Sequence, residues 1–182
     1  MYVVADSQIA VQSFFRACLK KDGIEVPGSE RIGHNVLVNN GREWLSQLIS
    51  WFTINAPDVV NTNRRIRWIG VGDDSHLATE AVETLKNAVS ITTGPDIYLA
   101  QLDAPPTFLS PVWVKFARTI TAAEVSHSGD VIITEAGLYA DLNPGSVLTT
   151  TSALNPVVAY KAFDGLLKSA GFTLDLEWSF RF

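Results

Sequence analysis

The sequence is poor in cysteine, in charge and in long apolar runs. Cys18 is the only cysteine among 182 residues, which excludes an intrachain disulfide and any metal site built from several cysteines. Charged residues make up only 18% of the chain, whereas about 25% is usual for a soluble domain. Acidic residues outnumber basic ones by 19 to 14, so we do not expect nucleic acid as a partner.

No apolar stretch is long enough to cross a membrane, and the N-terminus lacks the basic and apolar regions of a signal peptide. We therefore expect a protein made in the cytoplasm, with no membrane partner. Apolar residues nevertheless make up 47% of the chain, which holds five Trp, nine Phe and four Tyr. With so little charge to solvate the surface, this composition indicates that partner proteins cover part of it.

The stretch IRWIGVGDDS places Gly70 and Gly72 after a strand-like run, as in a dinucleotide-binding loop. The third glycine of that pattern is replaced by Ser75, and the carboxylates of Asp73 and Asp74 would repel a pyrophosphate. We interpret the stretch as a strand and a structural glycine turn. The two aspartates then either begin a helix, where carboxylates are favourable, or bind a cation.

Other residues with catalytic potential are isolated in the sequence. His34, His76 and His127 lie in turn-like stretches without the spacing of a metal site. Ser128 lies next to a histidine but in no nucleophile motif. We therefore predict no catalytic residue, no cofactor and no bound metal, and we do not expect an enzyme.

Glu135 is the most conspicuous carboxylate, because it lies within the apolar run VIITEAGL. Strand alternation places it on one face with Ile133 and Gly137, so we expect it to be half buried. Such a group is either a general acid or a structural carboxylate held by a backbone N–H or by a basic side chain. The basic candidates are Lys115, Arg118 and Lys161.

Apolar periodicity predicts an α+β fold, with an antiparallel β-sheet or β-sandwich core packed by one or two helices. Helical spacing predicts helices over 8–21, 42–54 and 75–88. Strand-like runs occur at 35–38, 66–71, 112–120, 131–139, 157–163 and 172–182. The glycine- and proline-containing stretch before residue 34 divides the chain into an N-terminal helix with an extended arm, 1–33, and a single β-rich domain, 34–182.

Several aromatic residues fit equally well into a core or into a subunit interface, where Trp and Phe are enriched. The interface candidates are Phe14, Phe15, Trp51 and Trp113. We expect the segment 1–33 to be the part that reaches a neighbouring subunit.

A set of phrases in the chain resembles tailed-bacteriophage virion structural proteins, a diffuse group of capsid-decoration, neck and tail-collar fibre components. The phrases are IRWIGVGDDS, HLATEAVETL, VKFARTITAAEV, VIITEAGLYAD and the closing LNPVVAYKAFDGLLKSAGFTLDLEWSFRF. In that group a G-x-G turn precedes a short helix, and an E-x-G-L strand precedes a closing strand with a tryptophan. The matching positions, within 35–182, are Gly70, Gly72, Leu85, Glu135, Gly137, Leu138, Lys161, Leu174 and Trp178. The acidic Asp73-Asp74 pair departs from the more neutral turn of the group.

The resemblance implies a non-enzymatic building block of the virion that is assembled in the host cytoplasm. We expect a capsid decoration or cement protein that binds between capsid subunits, or alternatively a neck, collar or tail-fibre attachment subunit. Its partners would be the major capsid protein or neck and tail components, and copies of itself in a trimer or another symmetric homo-oligomer. A rival function is a receptor- or carbohydrate-binding module using Trp113, Tyr98 and Phe108 near Pro105-Pro106.

Overall fold

The structure is a computed structural model in which strands predominate. It describes residues 11–42, 65–92, 97–110, 113–126, 129–141 and 157–181. Strands account for 57% of the described residues and helix for only 4%. The strands of the described residues are β1 (Gln12–Lys21), β2 (Ile24–Glu25), β3 (Arg31–His34), β4 (Val36–Leu37), β5 (Arg65–Gly72), β6 (Ala100–Gln101), β7 (Thr107–Ser110), β8 (Trp113–Ile120), β9 (Val131–Asp141), β10 (Val157–Lys168) and β11 (Thr173–Arg181).

The strands form two antiparallel sheets that together make a curled half-barrel. The first sheet has the order β2-β1-β11-β8-β7, with β3 also paired to β1. The second sheet has the order β4-β10-β9-β5-β6. The main hydrophobic core lies between them and draws residues from both sheets, including Phe15, Leu176 and Trp178 from the first and Ile69 and Leu138 from the second.

The strand prediction for the C-terminal stretch is confirmed. Along β11 the side chains of Leu174, Leu176, Trp178 and Phe180 are buried, and the residues between them are partly exposed. This period of two is the pattern of a strand with one face on a core. The runs predicted at 66–71, 131–139 and 157–163 are likewise found as strands, the run at 112–120 contains β8, and 35–38 contains the short β4.

The predicted N-terminal helix over 8–21 is wrong, because residues 12–21 form β1. β1 pairs with β11 over nine residues, and Phe15 lies opposite Trp178 with ring centroids 4.7 Å apart. The apolar doublets Phe14-Phe15 and Cys18-Leu19 imitate helical spacing, but pairing on both edges of the strand overrides that local signal. The stretch predicted as an extended arm contains β2 and β3, which both pair with β1. The domain boundary at residue 33 stays a prediction.

The prediction that helices pack against the sheet is also wrong. Residues 75–88, predicted as a helix, form an irregular loop in which Val82 and Leu85 are buried. Only a helical turn at 39–42 is present in the described residues, and the rest of the helix predicted over 42–54 lies outside them. No helix of the described residues is long and apolar enough to cross a membrane.

A buried lysine supports the turn that follows β8. Lys168 is fully buried, and its ammonium group lies 3.3–3.5 Å from four acceptor oxygens. Three of them belong to that turn, and the fourth belongs to Ser169, the next residue after the lysine. The acceptors are the carbonyl oxygens of Ala122, Glu124 and Ser169 and the hydroxyl of Ser126. Within the turn, Val125 has a φ of 68°, which is unfavourable for a β-branched residue. Contacts from outside the turn therefore help to maintain this conformation.

The buried lysine predicts a pH-dependent stability. Burial lowers the pKa of Lys168 below its usual 10.5, and the nearby charge of Glu124 opposes that shift. The unfolded state then binds the proton more tightly, so stability rises as pH increases from the folded pKa towards 10.5. We expect the free energy of unfolding of the wild type to rise relative to Lys168→Met over that range, as measured by urea denaturation. A constant difference between the two proteins would contradict this.

Candidate functional site

The most elaborate local arrangement is the loop of residues 73–88, which we call the anchored loop. Its two ends are joined by the backbone bridge between Gly72 and Ala88 and by a hydrogen bond from Asp73 N to Asn87 O of 3.2 Å. The Asn87 amide donates to the Asp73 carboxylate at 2.6 Å, and the Lys86 ammonium lies 2.8 Å from the carboxylate of Asp74. A surface loop with such closely joined ends is an Ω-loop, a class that is frequently functional.

Both ends of the anchored loop are attached to the second sheet through Glu135. The carboxylate of Glu135 is fully buried, and its Oε1 accepts the backbone N–H groups of Lys86 at 2.8 Å and Asn87 at 3.2 Å. Its Oε2 accepts the hydroxyl of Tyr160 at 2.8 Å. The Tyr160 hydroxyl oxygen in turn accepts the backbone N–H of His76 at 2.8 Å. One carboxylate thus holds the end of the loop directly and its beginning through a tyrosine.

Glycines allow the anchored loop to approach the sheet closely. In the pairing of β5 with β9, Gly70 lies opposite Gly137 and Gly72 lies opposite Glu135. A Cβ atom added to Gly72 would lie 2.2 Å from Glu135 Oε1 and 2.6 Å from the carbonyl oxygen of Asn87. One added to Gly70 would lie 3.0 Å from a methyl group of Leu85. The absence of these side chains creates the space that the loop occupies.

Apolar side chains fill the remaining space between the loop and the sheet. They form a second cluster, separate from the main core, whose buried members are Val38, Val82, Leu85, Leu99, Tyr139, Val157 and Tyr160. The loop is further attached at its middle by a hydrogen bond from Asn39 N to Glu80 O of 2.8 Å and by the Arg42–Glu80 ion pair. The loop is therefore packed onto the sheet and not only hydrogen-bonded to it.

Burial dominates the electrostatics of this site. It raises the pKa of Glu135, while the hydrogen bonds from Tyr160, Asn87 and Lys86 oppose the rise. Burial, together with the hydrogen bond to Glu135, also raises the pKa of the Tyr160 hydroxyl. Glu135 forms no ion pair with any residue that the structure describes. Since the carboxylate is fully buried and bonded on both oxygens, its arrangement suits attachment of the loop better than acid catalysis.

The expectations for Glu135 are partly confirmed. It shares a face with Gly137, but Ile133 points into the main core on the opposite side, so that part was wrong. The carboxylate is fully buried where half burial was expected. Of the two kinds of structural partner considered, backbone N–H groups hold the carboxylate, and none of the three basic candidates does. Lys115 pairs with Glu177, Arg118 with Asp103 and Glu124, and Lys161 donates to His34 O.

The Asp73-Asp74 pair does not begin a helix, so that interpretation is wrong. Asp74 pairs with Lys86. This ion pair, and a hydrogen bond from the backbone N–H of Ser75, lower the pKa of Asp74. Among the described residues, no three His, Cys, Asp or Glu side chains are arranged to hold a metal ion. The aspartates close the base of the anchored loop.

The interface candidates occupy different environments. Phe15 lies in the main core, 1% exposed, between Trp178 and Phe163. Phe14 and Trp113 are partly exposed on the outer face of the first sheet, with ring centroids 6.2 Å apart. Trp51 lies outside the described residues. A role of these residues in a subunit interface stays a prediction.

The motif residues Gly70, Gly72, Glu135 and Gly137 meet beneath the anchored loop, whereas Trp178 lies in the other sheet. Tyr160, which links Glu135 to the loop, was not predicted from the sequence. The sequence did contain an indication of this role, because a tyrosine inside the apolar run VVAYKAF needs a hydrogen-bond partner for its hydroxyl.

A pocket of about 420 Å³ opens beside the outer part of the anchored loop. Its lining residues are His76, Leu77, Thr79, Ala81, Val82, Glu83 and Thr84. They combine apolar side chains with the polar side chains of His76, Glu83 and two threonines.

Comparison with known proteins gives no relative from which a function can be transferred. No family model, no curated protein and no solved structure matches the chain.

Proposed function

We propose that the chain is a non-enzymatic structural component of a tailed-phage virion, namely a capsid decoration protein that binds between capsid subunits. The observation that carries the proposal is the number of large apolar side chains on the surface. Those more than half exposed in the described residues are Ile24, Ile32, Leu77, Phe108, Leu109, Ile132 and Leu167. In a chain with only 18% charged residues, such side chains favour contacts with other proteins.

The exposed apolar residues lie on several separate parts of the molecule. Ile24 and Ile32 belong to β2 and β3 at one side of the first sheet, and Phe108 belongs to β7 at the opposite edge. Ile132 and Leu167 face each other across β9 and β10 of the second sheet. A protein that bridges several neighbours needs contact surfaces on more than one side, and this distribution supplies them.

The anchored loop supports the non-enzymatic part of the proposal. Glu135 is the carboxylate that the sequence marks as unusual, and both of its oxygens are used to attach the loop. A cement function needs stable surfaces that together bury about 1,200–2,000 Å² at each joint. Packing of the 16-residue loop (residues 73–88) onto its own sheet supplies part of such a surface.

The proposal is tested on particles of a phage that encodes the chain. We expect mass spectrometry of density-purified virions to detect the protein at a regular copy number, and immunogold labelling to place it on the capsid. Labelling at the neck or tail would select the alternative of a collar or fibre-attachment subunit. Its absence from washed particles would contradict a virion role.

A matched pair of variants sharpens this experiment. The double variant Phe108→Ser, Leu109→Ser removes two exposed apolar side chains from edge strand β7, and we expect it to fold but to enter particles less efficiently. Thr107→Ala on the same strand serves as the control and is expected to enter normally.

A receptor- or carbohydrate-binding module is the second candidate function. It is favoured by the neighbouring rings of Phe14 and Trp113 on the outer face of the first sheet and by the exposed ring of Phe108. Aromatic rings of this kind provide flat apolar surfaces for ligands. Binding on a glycan array that Trp113→Ala and Phe108→Ala abolish would select this function over the first.

A further inference from the structure

We propose that attachment of the anchored loop is linked to proton binding: Glu135 holds the loop most firmly when protonated, and release of the loop from the sheet releases the proton. This inference rests on the geometry around Glu135 and is independent of the proposed virion role. It concerns the loop of residues 73–88 as a unit, because its two ends are joined at the base.

The hydrogen bonds around Glu135 can accommodate the proton without loss of a partner. In the ionised form, the Tyr160 hydroxyl donates to Glu135 Oε2 at 2.8 Å. In the protonated form, Oε2 can donate to the Tyr160 oxygen, and the Tyr160 hydroxyl can turn to the carbonyl oxygen of His76, which lies 3.4 Å away. Oε1 keeps the backbone N–H groups of Lys86 and Asn87 in both forms.

The surroundings of Glu135 favour the neutral form when the loop is attached. The carboxylate is fully buried, and in the part of the chain that the structure describes it pairs with no cation. The β5 residue opposite it is Gly72, β9 contributes Tyr139 and β10 contributes Tyr160. The loop contributes His76 and Lys86, and the ammonium group of Lys86 is directed to Asp74. A buried carboxylate without a counter-charge binds a proton more tightly than an exposed one.

The sign of the pH dependence follows from linkage. The pKa of Glu135 is raised while the loop is attached, and it returns towards 4.5 when the loop leaves and water reaches the carboxylate. Opening therefore releases a proton and is favoured as pH rises from 4.5 through the raised pKa. Within that window the opening equilibrium constant should increase by up to about tenfold per pH unit.

Amide hydrogen exchange on the full chain tests this. The exchange of the Lys86, Asn87 and His76 amides is measured between pH 5 and pH 8, divided by the intrinsic exchange rate and compared with amides of β11. In the wild type we expect protection of the three loop amides to fall as pH rises, while β11 stays protected. Glu135→Gln, whose side chain is a permanent neutral analogue, should keep high protection at every pH.

Two further variants separate the effect of Glu135 from those of Tyr160 and His76. Tyr160→Phe removes the acceptor of the His76 N–H, so His76 should lose protection throughout the pH range. His76→Gln removes the neighbouring imidazole, and the fall in loop protection with rising pH should persist in this variant. Loop protection that is constant or rises with pH in the wild type would overturn the proposal, as would the same slope in Glu135→Gln. A carbon-13 titration of the Glu135 carboxyl in the wild type gives an independent reading, and a pKa at or below 4.5 would also overturn it.

Discussion

Replacing Glu135 by leucine is expected to lower the free energy of unfolding by about 2–4 kcal/mol, because each buried N–H left without an acceptor costs about 1–3 kcal/mol. The groups that lose their acceptor are the backbone N–H groups of Lys86 and Asn87. Removing the buried carboxylate regains its desolvation cost, which keeps the net loss below the sum of these costs. Chemical denaturation of the two proteins at neutral pH measures the difference.

Glutamine at the same position is the matched control. Its carbonyl oxygen can accept the same two N–H groups, and its NH₂ group can donate to the Tyr160 oxygen. We therefore expect Glu135→Gln to change the free energy of unfolding by less than about 1 kcal/mol. Equal losses for leucine and glutamine would show that the hydrogen bonds to this side chain do not hold the loop.

Replacing Gly72 by alanine is expected to lower the free energy of unfolding by about 3 kcal/mol, at the upper end of the usual cost of overpacking. The added Cβ atom would lie 2.2 Å from Glu135 Oε1 and 2.6 Å from the carbonyl oxygen of Asn87. The second contact is with backbone, so it cannot be relieved by a side-chain rotation. Either the base of the anchored loop or strand β5 has to move.

Gly171→Ala is the control for this substitution. Gly171 has no heavy atom within 4 Å of an added Cβ and no left-handed φ. We expect the free energy of unfolding of Gly171→Ala to stay within about 0.5 kcal/mol of that of the wild type, as is usual for surface substitutions. A loss at Gly171 as large as that at Gly72 would mean that backbone flexibility, and not the close approach of the loop, determines the cost.

Regular alternation made part of the fold predictable from sequence. β11 could be identified because its buried and exposed residues alternate over the whole strand. β1 could not be identified, because its two faces do not differ clearly: Phe14 and the buried Cys18 lie on one face, and the buried Phe15 and Leu19 lie on the other. Only its pairing with β11 and β3 decides which face is buried, and that pairing joins residues far apart in the chain.

The site was only partly predictable, for a related reason. Gly70, Gly72, Glu135 and Gly137 were singled out in the sequence, but their meeting depends on the register between β5 and β9. That register places Gly70 opposite Gly137, a contact between residues 67 positions apart (137 − 70). Because the three glycines leave space on this surface of the sheet, an irregular loop with the buried side chains of Val82 and Leu85 fits there. The spacing of these two residues alone resembled a helix.

The G-x-G of IRWIGVGDDS is thus explained by packing. Its glycines face a loop of the same chain, and the E-x-G of β9 supplies the carboxylate that holds that loop. The most conspicuous residues of the sequence therefore serve one structural purpose, the attachment of residues 73–88 to the second sheet.

Amide exchange at a single neutral pH tests this attachment most directly. We predict that the Lys86 and Asn87 amides are protected in the wild type and in Glu135→Gln. In Glu135→Leu their protection should fall by about tenfold or more relative to the amides of β11, because the loop opens locally while the sheets persist. Unchanged protection of Lys86 and Asn87 in Glu135→Leu would contradict the conclusion that Glu135 anchors the loop.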